Sequence, residues 1–453
     1  MSKHFLNGTV YGPYTDTGPG TIIVDPFADI QAAGAFDALT LNAGPWKVTV
    51  NGSISAVDGK AINLVGPELS NVTIGLGASV FGAIGIYSND AANISNAGTI
   101  GGGFFGAQIG QGNYSINNLK TGVIEGDLLG LQTFGLGTHT ITNAGMISSG
   151  HDAISSGEGV ELVTNSGKLL GNVYLGDGND IFTNFAKVGK IVKNGFVDGL
   201  VDLGDGNDHF FGGRTSEVVS DYKGQDVYKL GGGNDLFFAK LDGGGDLVDL
   251  IDGGKGHDTY DAGEAGAFGV FINLDSIDHF GFAAMTADDI EQDVASARDT
   301  IKNFENANGS GGDDVILGTS AVNQLYGGNG MDSLTGFGGK DYLIGGADRD
   351  FFIFTSLKDS GPTNATRDMI SDFEGAGVAG GDLINLSILN TKLGDIINFL
   401  GTNANFSGNA GDLRAVFVGN DTIVQLDVDG DNKADFSIQL DGHHALTVDD
   451  FYL

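Results

Sequence analysis

The chain has 453 residues, with 58 acidic against 22 basic side chains and a net charge of −36, a balance that repels nucleic acid and anionic membranes. It has no cysteine, which removes disulfides and thiolate metal sites. Seventy-eight glycines against six prolines indicate many tight turns in a regular repeat, and glycine does not recur every third residue, so collagen is excluded.

The start, MSKHFLNGTVYGPYTDTG, lacks an apolar core, so no N-terminal signal peptide is expected. Nothing downstream approaches the 18 continuous apolar residues of a transmembrane segment. Residues 1–45 carry little pattern and are expected to form an N-terminal cap or an assembly arm. From Trp46 a looser repeat begins. Its clearest units are Asn96-Ala-Gly-Thr-Ile100, Asn143-Ala-Gly-Met-Ile147 and Asn165-Ser-Gly-Lys-Leu169, with a degenerate member at Asn118–Ile124. Ile100, Ile124, Ile147 and Leu169 lie 24, 23 and 22 apart. A period in the low twenties with several short strands suits one coil of a parallel β-helix. Asn tolerates a left-handed backbone and can hydrogen-bond along a stack, so the asparagine row reads as a structural ladder.

From about residue 175 the coils acquire acidic turns: Leu175-Gly-Asp-Gly-Asn-Asp180, Leu203-Gly-Asp-Gly-Asn-Asp208, Leu230-Gly-Gly-Gly-Asn-Asp235 and Gly253-Gly-Lys-Gly-His-Asp258. Coils in register would stack Asp180, Asp208 and Asp235 in one row, with Asp177 and Asp205 beside it and Asp258 following. Phe182, Phe210, Phe237 and Tyr260 would then form one aromatic stack inside. The parallel β-helix is thus expected over 46–260. Residues 261–308 interrupt the pattern. Thr286-Ala-Asp-Asp289 resembles a capping box, with Ile290, Val294 and Ala297 at helical spacing, so a short helix is expected over roughly 287–297.

Residues 309–354 keep a nine-residue beat. Asp314, Asn323, Asp332, Asp341 and Asp350 fall nine apart, each followed two residues later by a large apolar side chain. Nonapeptides of this kind build a parallel β-roll that binds calcium. Two nonapeptides make one turn, so Asp314 should stack on Asp332, Asn323 on Asp341, and Asp332 on Asp350. Carboxylates about 4.8 Å apart repel unless a cation lies between them, and calcium takes six to eight hard oxygens from carboxylates and carbonyls. The expected ligands extend to Asn329 and Asp348 and to the backbone of Gly328, Gly330 and Gly346.

Over 355–453 the texture becomes alternating strands, at Arg367–Phe373, Gly381–Ser387, Leu413–Val418, Thr422–Val428 and Ala434–Leu440. They read as an antiparallel cap closing the roll. The Asp427-x-Asp429-Gly-Asp431 stretch mimics the start of an EF-hand, with Asn432 where that loop needs glycine, and reads as strand–turn–strand. The fold class expected is all-β: a right-handed parallel β-helix running into a calcium-binding parallel β-roll, with an antiparallel C-terminal cap and one short helix.

Residues from about 253 to 453 resemble the C-terminal domain of serralysin-type and other RTX (repeats-in-toxin) proteins. The match rests on Gly256–Tyr260, Asp299–Glu305, the nonapeptide run, Arg367–Phe373, Leu426–Asp431 with Ala434-Asp-Phe436, and Asp450-Phe451. The resemblance implies Ca2+ as cofactor and export by the type I secretion machinery on an uncleaved C-terminal signal within 355–453. It therefore implies an extracellular or cell-surface location. The N-terminal half looks loosely like β-helical regions of bacterial surface proteins. No H-E-x-x-H occurs, so the serralysin protease site is absent.

Two kinds of repeat cover most of the chain with no catalytic constellation between them. The reading is a secreted calcium-binding structural protein, not an enzyme, that forms a homo-oligomer or an S-layer-like lattice. The alternatives are an adhesin that binds cell-surface polysaccharide or, further off, a polysaccharide lyase or epimerase. Residues 1–213 contain no arginine, and Lys187, Lys190 and Lys193 read as a solvated face.

Overall fold

A computed structural model describes residues 2–240, 248–280, 283, 286–289, 299–394 and 396–453. The chain divides into two compact units, residues 1–233 and 234–453.

The first unit is a parallel β-helix from its start. Ser2–Leu6 pairs in parallel with Gly20–Val24, which pairs with Trp46–Val50. Thr9–Tyr11 and Tyr14–Thr17 pair in the same way with Asp29–Ala32 and Leu39–Asn42. The expectation of a cap or arm over 1–45 is therefore corrected: these residues are the first coils. Their alternating strands close on turns without the Asn-x-Gly signature, so the repeat is invisible to a search for that turn. One inward column runs through Ile22, Val48, Val72, Ile94, Ile116, Ile141, Val163, Phe182, Phe210 and Tyr228, each in register with the next. All are fully buried. A β-branched or aromatic side chain at the same place in every coil packs on its own neighbours above and below, which is how a solenoid makes a core from short strands. Lys187 and Lys193 lie on an antiparallel hairpin, Phe185–Val188 with Ile191–Asn194, that stands out from the coils.

The second unit is the roll. One inward column is Phe237, Tyr260, Ala307, Leu325, Leu343, Ile370 and Leu440, and the other includes Ile272, Ile316, Leu334, Phe352, Ile384 and Phe451. Two segments expected in the antiparallel cap belong here instead, because Asp368–Ile370 and Leu383–Asn385 are parallel continuations of the roll. The antiparallel sheet is Asp412–Val418, Asp421–Asp427 and Phe436–Leu440. The helix expected over 287–297 is also corrected in its described part. Thr286–Asp289 is a strand antiparallel to Val270–Asn273, and residues 290–297 lie outside the described residues. A short α-helix occurs instead at Ser387–Leu393, ending on Gly394 in the left-handed region.

Candidate metal centres

The nonapeptides place their acidic residues in two columns. In the first, Asp332 accepts from the Asp314 backbone N–H at 2.8 Å, Asp350 from that of Asp332 at 2.9 Å, and Asp382 from that of Asp350 at 3.0 Å. In the second, Asp341 accepts from Asn323 N–H at 2.8 Å and Asp368 from Asp341 N–H at 2.8 Å. Every one of these carboxyls is buried. Each uses Oδ1 for its backbone bond. The Oδ2 atoms of Asp332, Asp341, Asp350 and Asp368 have no hydrogen-bond partner among the described residues. Those of Asp332, Asp341 and Asp350 instead face the α-carbons of Gly327, Gly336 and Gly345, too close for a Cβ to intervene. The turns carry Gly328, Gly330 and Gly346 at φ of 127°, 105° and 110°, with Asp348 at 80°. Gly346 lies against the Gly328 carbonyl and Gly330 against that of Gly312. Asn329 and Asp348 are exposed at the turns.

An ionised carboxylate buried with one oxygen unmet is costly. Burial accordingly pushes Asp332 and Asp341 up to about 8, Asp350 to about 7 and Asp368 to about 9, with neighbouring carboxylates adding to the rise. A divalent cation removes both penalties, and oxygen donors alone beside glycine carbonyls suit a hard ion such as calcium. The residues present therefore fit the ion that the repeats imply.

Two expected ligands differ. Asn323 donates from Nδ2 to the Glu305 carbonyl at 2.6 Å and accepts at Oδ1 from Thr319 N–H at 2.7 Å, so protein groups close its position. Asp314 accepts at Oδ1 from Val270 N–H at 2.6 Å and at Oδ2 from Ser310 N–H at 2.5 Å.

The first unit carries its own column. Asp180 accepts from Glu161 N–H at 2.8 Å, Asp208 from Asp180 N–H at 2.7 Å, and Asp226 from Asp208 N–H at 2.6 Å. The expected third member, Asp235, is corrected to Asp226. The turn Gly224-Gln225-Asp226 lacks the flanking glycines that mark the others, and Asp235 instead donates its N–H to Asp258 at 2.8 Å in the second unit. Asp258 in turn donates its own N–H to Glu305 at 2.9 Å. The aromatic stack divides likewise. Phe182 and Phe210 stack at 5.6 Å, with Tyr228 next in register, while Phe237 and Tyr260 stack at 6.0 Å. Burial pushes Asp180 and Asp208 up to about 8, with nearby carboxylates adding to it. Among the remaining expected ligands, Asp177 is exposed, and Asp205 has a buried Oδ1 without a partner among the described residues.

Sequence reasoning missed Asp226, Glu305, Asp368 and Asp382 in these columns, and Asp372, whose carboxyl accepts from the N–H groups of Gly345 and Gly346 at 3.0 and 2.8 Å. Asp368 follows Asp341 by 27 residues and Asp382 follows Asp350 by 32, so the eighteen-residue stacking interval does not find them. The carboxylates of Asp427, Asp429 and Asp431 converge within 4.8 Å. Asp427 there binds the N–H groups of Gly430 and Asn432, and Lys433 Nζ lies 2.6 Å from Asp431. That turn carries a cation of its own.

A family described as the serralysin C-terminal part of peptidase M10 matches residues 252–453. No curated protein matches the chain. Among solved structures it is similar to the AlgE6R2 subunit of the Azotobacter vinelandii mannuronan C5-epimerase, at 27% identity over 30% of this chain and 89% of that one, with a TM-score of 0.18. The stretch that matches the serralysin C-terminal family, just under half of the chain, is the one that holds the parallel roll and the Asp332, Asp341 and Asp350 carboxyls.

Proposed function

We propose that this protein is exported by a type I secretion system, folds on extracellular calcium, and then serves as a structural component of the bacterial cell surface or matrix, assembling with further copies of itself. The observation that carries the reading is the row of buried carboxyls at Asp332, Asp341 and Asp350, each with Oδ2 set against a glycine and without a hydrogen-bond partner among the described residues. Where calcium is scarce, their repulsion and desolvation oppose closure of the roll. Where it is millimolar, each site filled at ten times its dissociation constant contributes about 1.4 kcal/mol, so about five sites supply ~7 kcal/mol, comparable to the stability of a whole domain. Export is supported by the serralysin-type match over 252–453. Association between copies is supported by Phe27, Phe36, Val57 and Leu76, which stand largely exposed at turns of the first unit. Circular dichroism and electron microscopy with chelator and with ~1–5 mM calcium test both halves. Gain of β signal together with ordered sheets or filaments is expected in calcium. An unchanged spectrum sinks the calcium reading, and dispersed single particles in calcium sink the assembly.

A specific observation supports a second reading, a carbohydrate-binding adhesin. An open groove of about 680 Å³ on the first unit is lined by Phe81, Glu125, Asp127, Ser148 and Ser149 among others. The Phe81 ring lies across Gly101 and remains partly exposed, which offers a stacking face flanked by carboxylates and hydroxyls. Among the described residues no lysine or arginine lines it, which suits a neutral sugar better than the acidic polymer of a polyuronate lyase or epimerase. Glycan-array binding that Phe81→Ala abolishes would favour this reading.

A further inference from the structure

The carboxylate column of the first unit has a member above its recognisable acidic turns. Tyr114, His139 and Glu161 are in successive register, and Glu161 donates its N–H to Asp180, so the four stand one above another inside the coils. All four are buried, Glu161 and Asp180 completely. His139 Nδ1 lies 2.7 Å from Glu161 Oε1, and the imidazole stacks on Tyr114 at 4.2 Å with the rings 8° from parallel. Glu161 Oε2 and Asp180 Oδ2 have no hydrogen-bond partner among the described residues.

The backbone above them repeats that of the acidic turns. Gly157-Glu158-Gly159-Val160-Glu161 occupies in its coil the place that Gly176-Asp177-Gly178-Asn179-Asp180 and Gly204-Asp205-Gly206-Asn207-Asp208 occupy in the next two. Asp177 N–H donates to the Gly157 carbonyl at 2.8 Å. Gly178 is pressed against the Gly159 carbonyl, as Gly206 is against Gly178 and Gly224 against Gly206, with no room for a Cβ at any step. Val163 fills the inward position two residues after Glu161, as Phe182 and Phe210 do after Asp180 and Asp208. Glutamate replaces aspartate, and its extra methylene lets one oxygen reach His139 while its carboxyl lies against that of Asp180.

We infer that the Gly157–Glu161 and Gly176–Asp180 turns hold a further calcium site, with Glu161 as a carboxylate ligand. Two buried carboxylates side by side, each with one oxygen lacking a hydrogen-bond donor among the described residues, form a donor set for a hard divalent cation. The inference rests on the calcium reading of Asp180 and extends it one coil toward the N-terminus. There, calcium would brace a coil built otherwise on apolar and amide contacts.

The test uses the full chain and calcium chloride, with bound calcium counted by equilibrium dialysis and amide hydrogen exchange read by segment. In the wild type, calcium should slow exchange at residues 157–161 as well as across the glycines at 327–346. Glu161→Gln should bind one calcium fewer, keep its β circular dichroism, and lose the response at 157–161 while keeping it at 327–346. Absence of any calcium response at 157–161 in a wild-type chain whose roll responds would overturn the inference, and so would an unchanged calcium count in Glu161→Gln. Failure of the underlying calcium reading looks different, since neither segment responds and no calcium is retained. The wild-type exchange data decide the matter even if the variant folds poorly.

Discussion

The asparagine column of the first unit and the aspartate columns of the roll solve one geometrical problem with different chemistry. In the first, Asn96 Nδ2 donates to Asn118 Oδ1 at 2.9 Å, Asn118 to Asn143 at 2.8 Å, Asn143 to Asn165 at 2.9 Å, Asn165 to Asn184 at 2.8 Å, and Asn184 to the Glu217 carboxylate at 2.9 Å. In the roll, Asp332, Asp341 and Asp350 are buried to the same degree, each two residues before an inward apolar side chain where each asparagine comes two residues after one. An amide carries both donor and acceptor and closes on its neighbours. A carboxylate only accepts, so its column stays open on one side until something positive arrives. Asn323 is the control within the roll: an amide in an aspartate column, satisfied by Thr319 and Glu305. The two regions therefore share an architecture and differ in what they require from solution.

Four experiments test whether the amide and carboxylate columns differ in this way. The largest effect is expected from chelation at pH 8. Hydrogen exchange should lose protection at the backbone amides of Asp314, Asp332 and Asp341 while Asn118, Asn143 and Asn165 stay protected, and equal loss in both regions would refute the distinction. Second comes Asn143→Ala, which leaves the Asn118 and Asn165 side chains without their shared partner and should cost about 2–3 kcal/mol. Denaturant midpoints should fall by the same amount with and without calcium. Third, Asp341→Asn should make that position resemble Asn323. In calcium at tenfold the dissociation constant it should forfeit about 1.4 kcal/mol and one bound ion by dialysis, while in chelator it should be no less stable than the wild type.

The fourth experiment follows the pH dependence of the calcium-free roll. Asp332 and Asp341 are pushed up to about 8 and Asp350 to about 7 when folded, against an ordinary value of 3.8. The folded state therefore holds more protons than the unfolded state between those limits, and stability falls as pH rises through the window. Thermal melts in chelator should move upward as pH drops from 8 to 5, whereas calcium affinity should weaken over the same range. The amide column should not respond.

What the sequence made legible follows the same division. The nine-residue beat exposes Asp332, Asp341 and Asp350 because glycine pairs and apolar residues repeat in phase with them. The Asn-x-Gly turns expose Asn96, Asn143 and Asn165. Where the interval between coils changes, the column continues but the phase is lost, which hides Asp226, Asp368 and Asp382. Residues 2–42 escape notice because strand pairing needs only alternation, and their turns carry no single residue type. The capping-box resemblance at Thr286 misleads for a physical reason. Ala287 alternates inward toward the core of a three-strand antiparallel contact with Val270–Asn273 and Asp299–Lys302, and tertiary pairing overrides a local helical preference.

The columns also have a direction. Each Asn amide donates to the asparagine of the following coil, and each aspartate N–H donates to the carboxylate of the following coil, from Asp180 to Asp208 and from Asp332 to Asp350 alike. A coil that arrives against a C-terminal neighbour already in place finds an acceptor waiting, whereas one that forms ahead of it leaves its donor at the open end of the stack. An end that grows toward the N-terminus therefore presents acceptors, and one that grows toward the C-terminus presents donors. For a chain that emerges C-terminus first, the order of arrival would match the polarity of the ladder, and each finished turn would template the next.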